Sequence, residues 1–131
     1  MKPLQHARNS ARKHGGTVEW SLPIHNFFDL SKSAMSDMRH RAVLHSAFGI
    51  FLVERQFGTY VKTEDGVMVS VRDVGEQHVL EDLGFIPTLE RWFKNMPLED
   101  WMGGVLRGSR TKFVSMSEMK GGEQNDEQDN G

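Results

Sequence analysis

Three short segments of the sequence each place a histidine and a carboxylate about one helical turn apart. The pairs are His25 with Asp29, Asp37 with His40, and His78 with both Glu81 and Asp82. Side chains three or four residues apart lie on the same face of a helix. If the three segments are helical, each presents an imidazole and a carboxylate together. Helical proteins build metal sites from such pairs when the pairs face one interior.

The sequence therefore predicts a site for a divalent metal ion held by nitrogen and oxygen ligands. The chain has no cysteine, so thiolate ligands, disulfides and cysteine nucleophiles are excluded. A set of imidazoles and carboxylates suits zinc, manganese or iron. The predicted metal ligands are His25, Asp37, His40, His78 and Asp82. Three further residues are candidate ligands in reserve: Asp29, His45 and Glu81.

A metal ion with one open coordination position would also support hydrolysis, because it lowers the pKa of bound water to near neutrality. Glu76 or Glu81 is the candidate general base. Arg39 and Arg41 are the candidate anion contacts, since guanidinium groups bind phosphate through paired hydrogen bonds. The leading hypothesis is a small divalent-metal-binding helical protein, with hydrolysis of a phosphate-containing substrate as a further activity.

The same residues also allow a non-catalytic interpretation. A single histidine–carboxylate pair is usually a surface or capping contact, and surface ion pairs are worth under about 1 kcal/mol. Asp73 and Glu76 fit a capping box at a helix start. The sequence contains no His-Glu-x-x-His motif and no His-Asp dipeptide of the kind that marks HD phosphohydrolases. The alternative function is an interaction protein whose His, Asp and Arg cluster is a structural polar network.

Length and composition limit the class of protein. A chain of 131 residues with 37% hydrophobic residues supports one compact domain. No apolar run approaches the roughly 18 residues that span a bilayer, and no apolar signal core follows Met1. We therefore expect a cytoplasmic protein without a membrane partner. The net charge of −2 makes nucleic-acid binding unlikely, although residues 1–45 are the most basic stretch.

The spacing of apolar residues predicts a mainly α fold, of class α or α+β, with five to six helices and one β-hairpin. Long helices are predicted over residues 4–14, over residues 33–56, and from Asp73 or Gly75 to Leu83. Pro23 either starts a new helix or breaks the preceding one, a further helix is predicted from Pro87-Thr88, and a last short turn is predicted over residues 98–102. Asp65-Gly66, between β-forming residues, predicts a hairpin near residues 59–72.

Residues 1–117 are predicted to form a single helical domain, and residues 118–131 a disordered acidic tail. From residue 121 onward the chain consists of Gly, Gln, Asn, Asp and Glu. Such a segment buries too little apolar surface to offset the entropy lost on ordering. Phe48, Phe51 and Leu52 suit either a homodimer interface or a monomer core, and the sequence leaves both open.

Residues 25–32, 37–42 and 71–88, which contain the three histidine–carboxylate segments, carry a family resemblance. Over roughly residues 5–102 the chain resembles a family of small uncharacterised proteins found in phages and bacteria. The resemblance implies no activity. It implies that the three polar segments characterise the family. It also implies an origin in a phage or mobile element, with a host protein as a candidate partner.

Overall fold

The computed structural model describes residues 1–104, which include five α-helices and one two-stranded antiparallel hairpin. In chain order, the elements are α1 (Pro3–His14), α2 (Leu22–Phe28), α3 (Ala47–Phe57), β1 (Tyr60–Lys62), β2 (Met68–Ser70), α4 (Val71–Leu83) and α5 (Leu89–Phe93). Short 3-10 helices occupy Leu30–Ser33, Met38–Arg41 and Asp100–Met102. The predicted mainly α fold with one hairpin is confirmed.

Helix α1 follows its sequence signals closely. Pro3 lies in the first turn, where its missing N–H leaves no hydrogen bond unmade. Basic residues occupy the last turn, where they complement the helix dipole. Gly15 ends the helix with a φ of 97°, a conformation that favours glycine. The predicted helix over residues 4–14 is confirmed.

The long helix predicted over residues 33–56 is wrong. Two 3-10 helices and several turns precede α3, which begins only at Ala47. Polar side chains in this segment bond to the backbone and compete with a continuous helix. Asp37 accepts a hydrogen bond from the backbone N–H of Arg39, and Ser46 accepts one from that of Gly49. Gly49 also lies so close to Leu44 that a Cβ there would stand 1.7 Å from the Leu44 carbonyl oxygen.

The hairpin and α4 are continuous in the chain. The strands pair in the register Tyr60↔Ser70, Val61↔Val69 and Lys62↔Met68, which confirms the hairpin near residues 59–72. Helix α4 begins earlier than predicted, because Ser70 rather than Asp73 caps it: Ser70 Oγ accepts from Asp73 N at 3.2 Å. The helix ends at Gly84, as predicted, and Thr88 caps α5.

Helices α2, α3 and α4 and strand β2 supply most of the hydrophobic core. The buried apolar cluster consists of Trp20, Ile24, Phe28, Leu44, Ile50, Val53, Val69, Val71, Val74 and Val79. Gly75 lets α4 approach its neighbours closely. A Cβ there would lie 3.1 Å from Val53 Cγ1 and 3.2 Å from Phe28 Cζ. No residue of α1 belongs to this cluster.

Residues Met1–Lys94 form one compact unit, and a second unit begins at Asn95. The predicted domain end at residue 117 and the predicted tail over residues 118–131 lie outside the described residues. None of the helices between residues 1 and 104 combines the length and apolar character that crossing a membrane requires.

Candidate metal centre

Four histidines from separate parts of the first unit are completely buried. His6 comes from α1, His25 from α2 and His78 from α4, and each has 0% of its surface exposed. His45, also fully buried, lies just before α3. Imidazoles removed from water need hydrogen bonds or a metal ion to compensate for lost hydration, so the partners of these rings decide what the cluster does.

The carboxylate of Asp82 is the centre of the cluster. Its side chain is 1% exposed. Five groups surround its two oxygens: His6 Nε2 at 3.2 Å, His45 Nε2 at 2.9 Å, His78 Nε2 at 3.4 Å, the Met1 α-amino nitrogen at 3.0 Å and an Arg41 guanidinium nitrogen at 3.8 Å. Burial alone would raise the pKa of Asp82. The hydrogen bonds from His45 and the α-amino group, together with the close imidazoles of His6 and His78, outweigh burial, and the pKa of Asp82 falls below its usual range.

The orientation of the Gln77 side-chain amide follows from two partners that can only accept hydrogen bonds. Its Nε2 lies 3.2 Å from the His6 carbonyl oxygen and 3.1 Å from Glu81 Oε2, both of which only accept. Gln77 Oε1 therefore accepts from the hydroxyl of Ser10 at 2.9 Å. Since Ser10 has a single hydroxyl proton, its Oγ accepts from His25 Nε2 at 2.8 Å.

The same chain of hydrogen bonds sets the tautomers of His25 and His78. With its proton on Nε2, the neutral His25 ring has a lone pair on Nδ1, and His78 Nδ1 donates to it at 2.9 Å. Burial lowers the pKa of His25 to about 3 and that of His78 to about 4, so both rings are neutral at pH 7. Neutral His78 therefore presents its lone pair at Nε2, 3.4 Å from Asp82 Oδ2.

His6 lies between two carboxylates. Its Nδ1 donates to Glu81 Oε1 at 2.6 Å, and its Nε2 faces Asp82 Oδ1. Burial lowers the pKa of His6, but the close carboxylate of Asp82 and the hydrogen bond and charge of Glu81 outweigh it, and the net shift is upward. Asn9 Nδ2 donates to Glu81 Oε2 at 3.2 Å and helps to hold that carboxylate in place.

Unsatisfied polar atoms concentrate around Asp82. Five buried side-chain polar atoms in the described part of the chain lack a hydrogen-bond partner. Four of them belong to residues that surround the Asp82 carboxylate: His6 Nε2, Arg41 Nε, His45 Nδ1 and His78 Nε2. Two of these four atoms, His6 Nε2 and His78 Nε2, are themselves the atoms that face the Asp82 oxygens, at 3.2 and 3.4 Å. Buried polar atoms are rarely left without a partner.

Ring stacking restrains two of the imidazoles. The His78 ring stacks on Phe28 with centroids 4.6 Å apart and on His6 with centroids 3.8 Å apart. Two groups have potential ligand atoms within 4.8 Å of one another: His6 with His25 and His78, and Asp29 with His45 and His78. Both nitrogens of His25 are already hydrogen-bonded, so His25 orients His78 rather than offering a free lone pair.

The sequence of the chain matches one known family. A profile described as a domain of unknown function, DUF6915, matches residues 1–102, which is most of the chain. The chain belongs to the DUF6915 family. The matched range includes every residue of the cluster around Asp82. No curated protein and no solved structure matches the chain. The origin in a phage or bacterium stays a prediction.

In this DUF6915 member the structure brings together three of the five predicted ligands, His25, His78 and Asp82. Of the reserve ligands, His45 contacts Asp82 directly, and Glu81 reaches the cluster through its hydrogen bond with His6. Asp29, the third, has a carboxylate oxygen within 4.8 Å of ligand atoms of His45 and His78.

The structure leaves Asp37 and Arg39 at the surface. Their side chains are 52% and 74% exposed, and they bond to each other at 2.8 to 3.1 Å. These bonds from Arg39 lower the pKa of Asp37 to about 2. His40 is buried, but its Nδ1 donates to the Asp37 carbonyl oxygen at 2.8 Å, and its ring centroid lies 6.5 Å from that of His45. The Asp37 and His40 side chains therefore do not meet at the Asp82 cluster.

The remaining predicted residues lie around the edge of the site. Arg41 faces the Asp82 carboxylate, so part of its charge is already balanced. Glu76 is 40% exposed and pairs with Arg72 at 3.5 Å. It lines an open depression of about 260 Å³ together with Lys13, Asp73, Gln77, Leu80 and Glu81. Because Glu81 also bonds to His6, its carboxylate connects this depression with the buried cluster.

Local spacing in the sequence gives no sign of His6. No carboxylate lies within one turn of it on α1, and its partner Glu81 is 75 residues away in the chain. The usable signal was its position on the same face of α1 as Ala7 and Ser10, the other buried residues of that helix.

Proposed function

We propose that this protein binds one divalent metal ion, zinc above all, through His6, His45, His78 and Asp82. The observation that carries the proposal is the lone pair of His78 Nε2. The hydrogen-bond chain from Gln77 through Ser10 and His25 forces this lone pair to face a carboxylate oxygen across 3.4 Å with no proton between them. Two buried electron-rich atoms repel each other, and a cation between them would turn that repulsion into attraction.

The spacing of the proposed ligands supports a single ion. Tetrahedral ligands at zinc distances of about 2.1 Å stand about 3.4 Å from one another. The three Nε2 atoms lie 2.9 to 3.4 Å from Asp82 oxygens. Each imidazole nitrogen thus lies close to the ligand-to-ligand distance from the Asp82 carboxylate. His45 Nε2–H now donates to Asp82, so His45 would move its proton to Nδ1 on binding metal.

The surroundings of the ligands also fit a metal site. Imidazole ligands generally donate their second ring N–H to a carboxylate or another acceptor, which fixes ring orientation and raises the basicity of the ligand atom. His6 donates to Glu81, and His78 donates to His25. In this proposal Glu81 and His25 are positioning residues outside the coordination shell, and Ser10 and Gln77 hold His25 in the required tautomer.

Burial of the proposed ligands supports a closed site that stabilises the fold. Catalytic zinc sites keep a coordination position for water, whereas structural sites are filled by protein ligands. All three imidazoles are 0% exposed, and the Asp82 side chain is 1% exposed. We therefore propose metal binding without catalysis as the primary function. Hydrolysis of a phosphate-containing substrate stays a prediction that would require the site to open.

The test is metal analysis of the full chain purified without chelator, combined with thermal melts. We expect close to one zinc per chain, and a Tm that falls when EDTA is added and recovers with zinc. At a free zinc concentration 100 times Kd, the gain in unfolding free energy should be about 2.7 kcal/mol.

The matched variants are His78→Gln and His14→Gln. His14 is a partly exposed histidine on α1 that contacts Trp20 rather than Asp82. We expect His78→Gln to lose zinc and His14→Gln to retain it, both with helical circular dichroism spectra. The proposal is wrong if the wild-type protein contains no metal and its Tm does not change when zinc or manganese is added. That result would support the polar-network alternative. Equal zinc retention by both variants would overturn the ligand assignment.

A further inference from the structure

Helix α1 has little apolar attachment to the rest of the first unit. Its buried residues are His6, Ala7 and Ser10, and Ala7 is the one apolar side chain among them. Leu4, its largest apolar side chain, is 42% exposed. No α1 residue belongs to the hydrophobic core cluster. Burial of apolar surface is the main favourable term in helix docking, so α1 depends on other contacts.

Those other contacts converge on the proposed metal site. His6 and Asn9 bond to Glu81, and Ser10 bonds to His25 and Gln77. Helix α1 supplies one of the four proposed ligands, His6. An ion bound there would join α1 directly to Asp82 and His78 of α4 and to His45.

The connection after α1 can act as a hinge. Gly15 and Gly16 have φ values of 97° and 72°, in the region that glycine adopts without strain. From Gly16 onward the chain is anchored to the hairpin loop. Gly16 N donates to Asp65 Oδ2 at 3.0 Å, and Thr17 N donates to Glu64 Oε1 at 2.8 Å. These anchors do not involve the metal site, so they can persist when α1 moves.

We propose that the metal ion docks α1, and that loss of the ion releases this helix about the Gly15–Gly16 hinge while α2, α3 and α4 stay folded. The inference rests on the proposed metal site and adds a regulatory consequence to it. Release of α1 would uncover polar groups of α2 and α4, including His25 and Gln77. Occupancy of the site by metal would thus control which surface the protein presents.

The test is hydrogen–deuterium exchange of the full chain, metal-free and with zinc, with Mg²⁺ as a control ion that prefers oxygen ligands. In the metal-free protein we expect α1 amides to exchange at least roughly 100-fold faster than those of α3 and α4. Zinc at 100 times Kd should slow α1 exchange by roughly 100-fold, and Mg²⁺ should leave it unchanged.

Two variants sharpen the test. In His6→Ala, α1 should exchange rapidly even with zinc, whereas His14→Ala should behave like the wild type. Zinc binding measured on the same samples separates the two proposals. Zinc bound without any change in α1 exchange would overturn this inference alone. Strong protection of α1 in the metal-free protein would also overturn it. Absence of zinc binding would overturn both this inference and the proposed function.

Discussion

The histidine–carboxylate pair on α4 and the pair at residues 37–40 share one sequence pattern but have opposite surroundings. His78 and Asp82 have side-chain exposures of 0% and 1%, and the Met1 α-amino group, His6 and His45 from other parts of the chain lie around the Asp82 carboxylate. Asp37 is 52% exposed and bonds to its neighbour Arg39. Helical spacing therefore does not decide whether such a pair becomes a site. What decides it is whether distant segments bring further polar groups to the same place.

The two regions should also differ in energy. A charge–hydrogen-bond network away from water is strong when complete and costly when one member is lost. An exposed ion pair is screened by solvent and contributes little. The cluster around Asp82 and the Asp37–Arg39 pair can therefore be compared by making equivalent substitutions in each.

The largest effect is expected from Asp82→Ala. Its removal leaves buried imidazoles and the Arg41 guanidinium without their common acceptor, at a cost of about 3–5 kcal/mol in unfolding free energy. Urea unfolding with an unchanged m-value measures this cost. Asp37→Ala is the matched control and should lower the midpoint much less, because it removes only an exposed ion pair and one cap hydrogen bond. Equal effects of the two substitutions would show that burial does not separate the regions.

A smaller effect is expected from Ser10→Ala. It removes the acceptor of His25 Nε2 and the donor to Gln77 Oε1, leaving two buried groups unpaired, at a cost of about 1–3 kcal/mol. Because His25 orients His78, zinc affinity should also fall roughly 10- to 100-fold. Urea unfolding and a competitive zinc titration measure the two effects. Ser33→Ala removes only an exposed hydroxyl and serves as the control. If Ser10→Ala leaves zinc affinity unchanged, the hydrogen bonds from Gln77 through Ser10 to His25 do not set the tautomer of His78.

Local signals in the sequence predicted much of the fold. The α1 boundaries, the Asp65-Gly66 hairpin and the Gly84 helix end depend on residues close together in the chain, and the structure confirms them. The long helix over residues 33–56 was wrong because apolar spacing continues across a segment whose polar side chains bond to the backbone. The Ser46 cap shows this most clearly, since it starts α3 inside the predicted helix.

The candidate site was only partly predictable for a related reason. His78 and Asp82 lie on one helix, so their spacing was visible in the sequence. The bond between His6 and Glu81 joins residues 75 positions apart, and no local pattern encodes it. Asp37 and His40 fitted the local pattern equally well, because spacing carries no information about which tertiary contacts will bury a pair.

His40 offers a more selective comparison, since it is buried but bonds to the Asp37 backbone instead of Asp82. We expect His40→Ala to lower the unfolding free energy by about 1–3 kcal/mol through its lost hydrogen bond. It should nevertheless retain zinc at the wild-type stoichiometry, in contrast to His78→Gln. Elemental analysis of the two variants side by side checks this. If the His40→Ala protein is folded but binds no zinc, His40 is a metal ligand, as the sequence predicted.

The smallest effect is expected at the Asp37–Arg39 pair, where the pKa of Asp37 is lowered to about 2 by the hydrogen bonds from Arg39. A carboxyl with a depressed folded pKa contributes stability above its unfolded pKa of about 3.9, and loses it as pH falls toward 2. Because Asp37 is exposed, this loss should be too small to shift the unfolding midpoint. NMR titration of the Asp37 carboxyl carbon should give a midpoint near 2, and Arg39→Gln should move it toward the unfolded value. If the wild-type pKa of Asp37 is already at the unfolded value, the Asp37–Arg39 pair does not form in solution. The comparison of an exposed paired carboxylate with a buried one would then lose its exposed member, and Asp82 alone would remain.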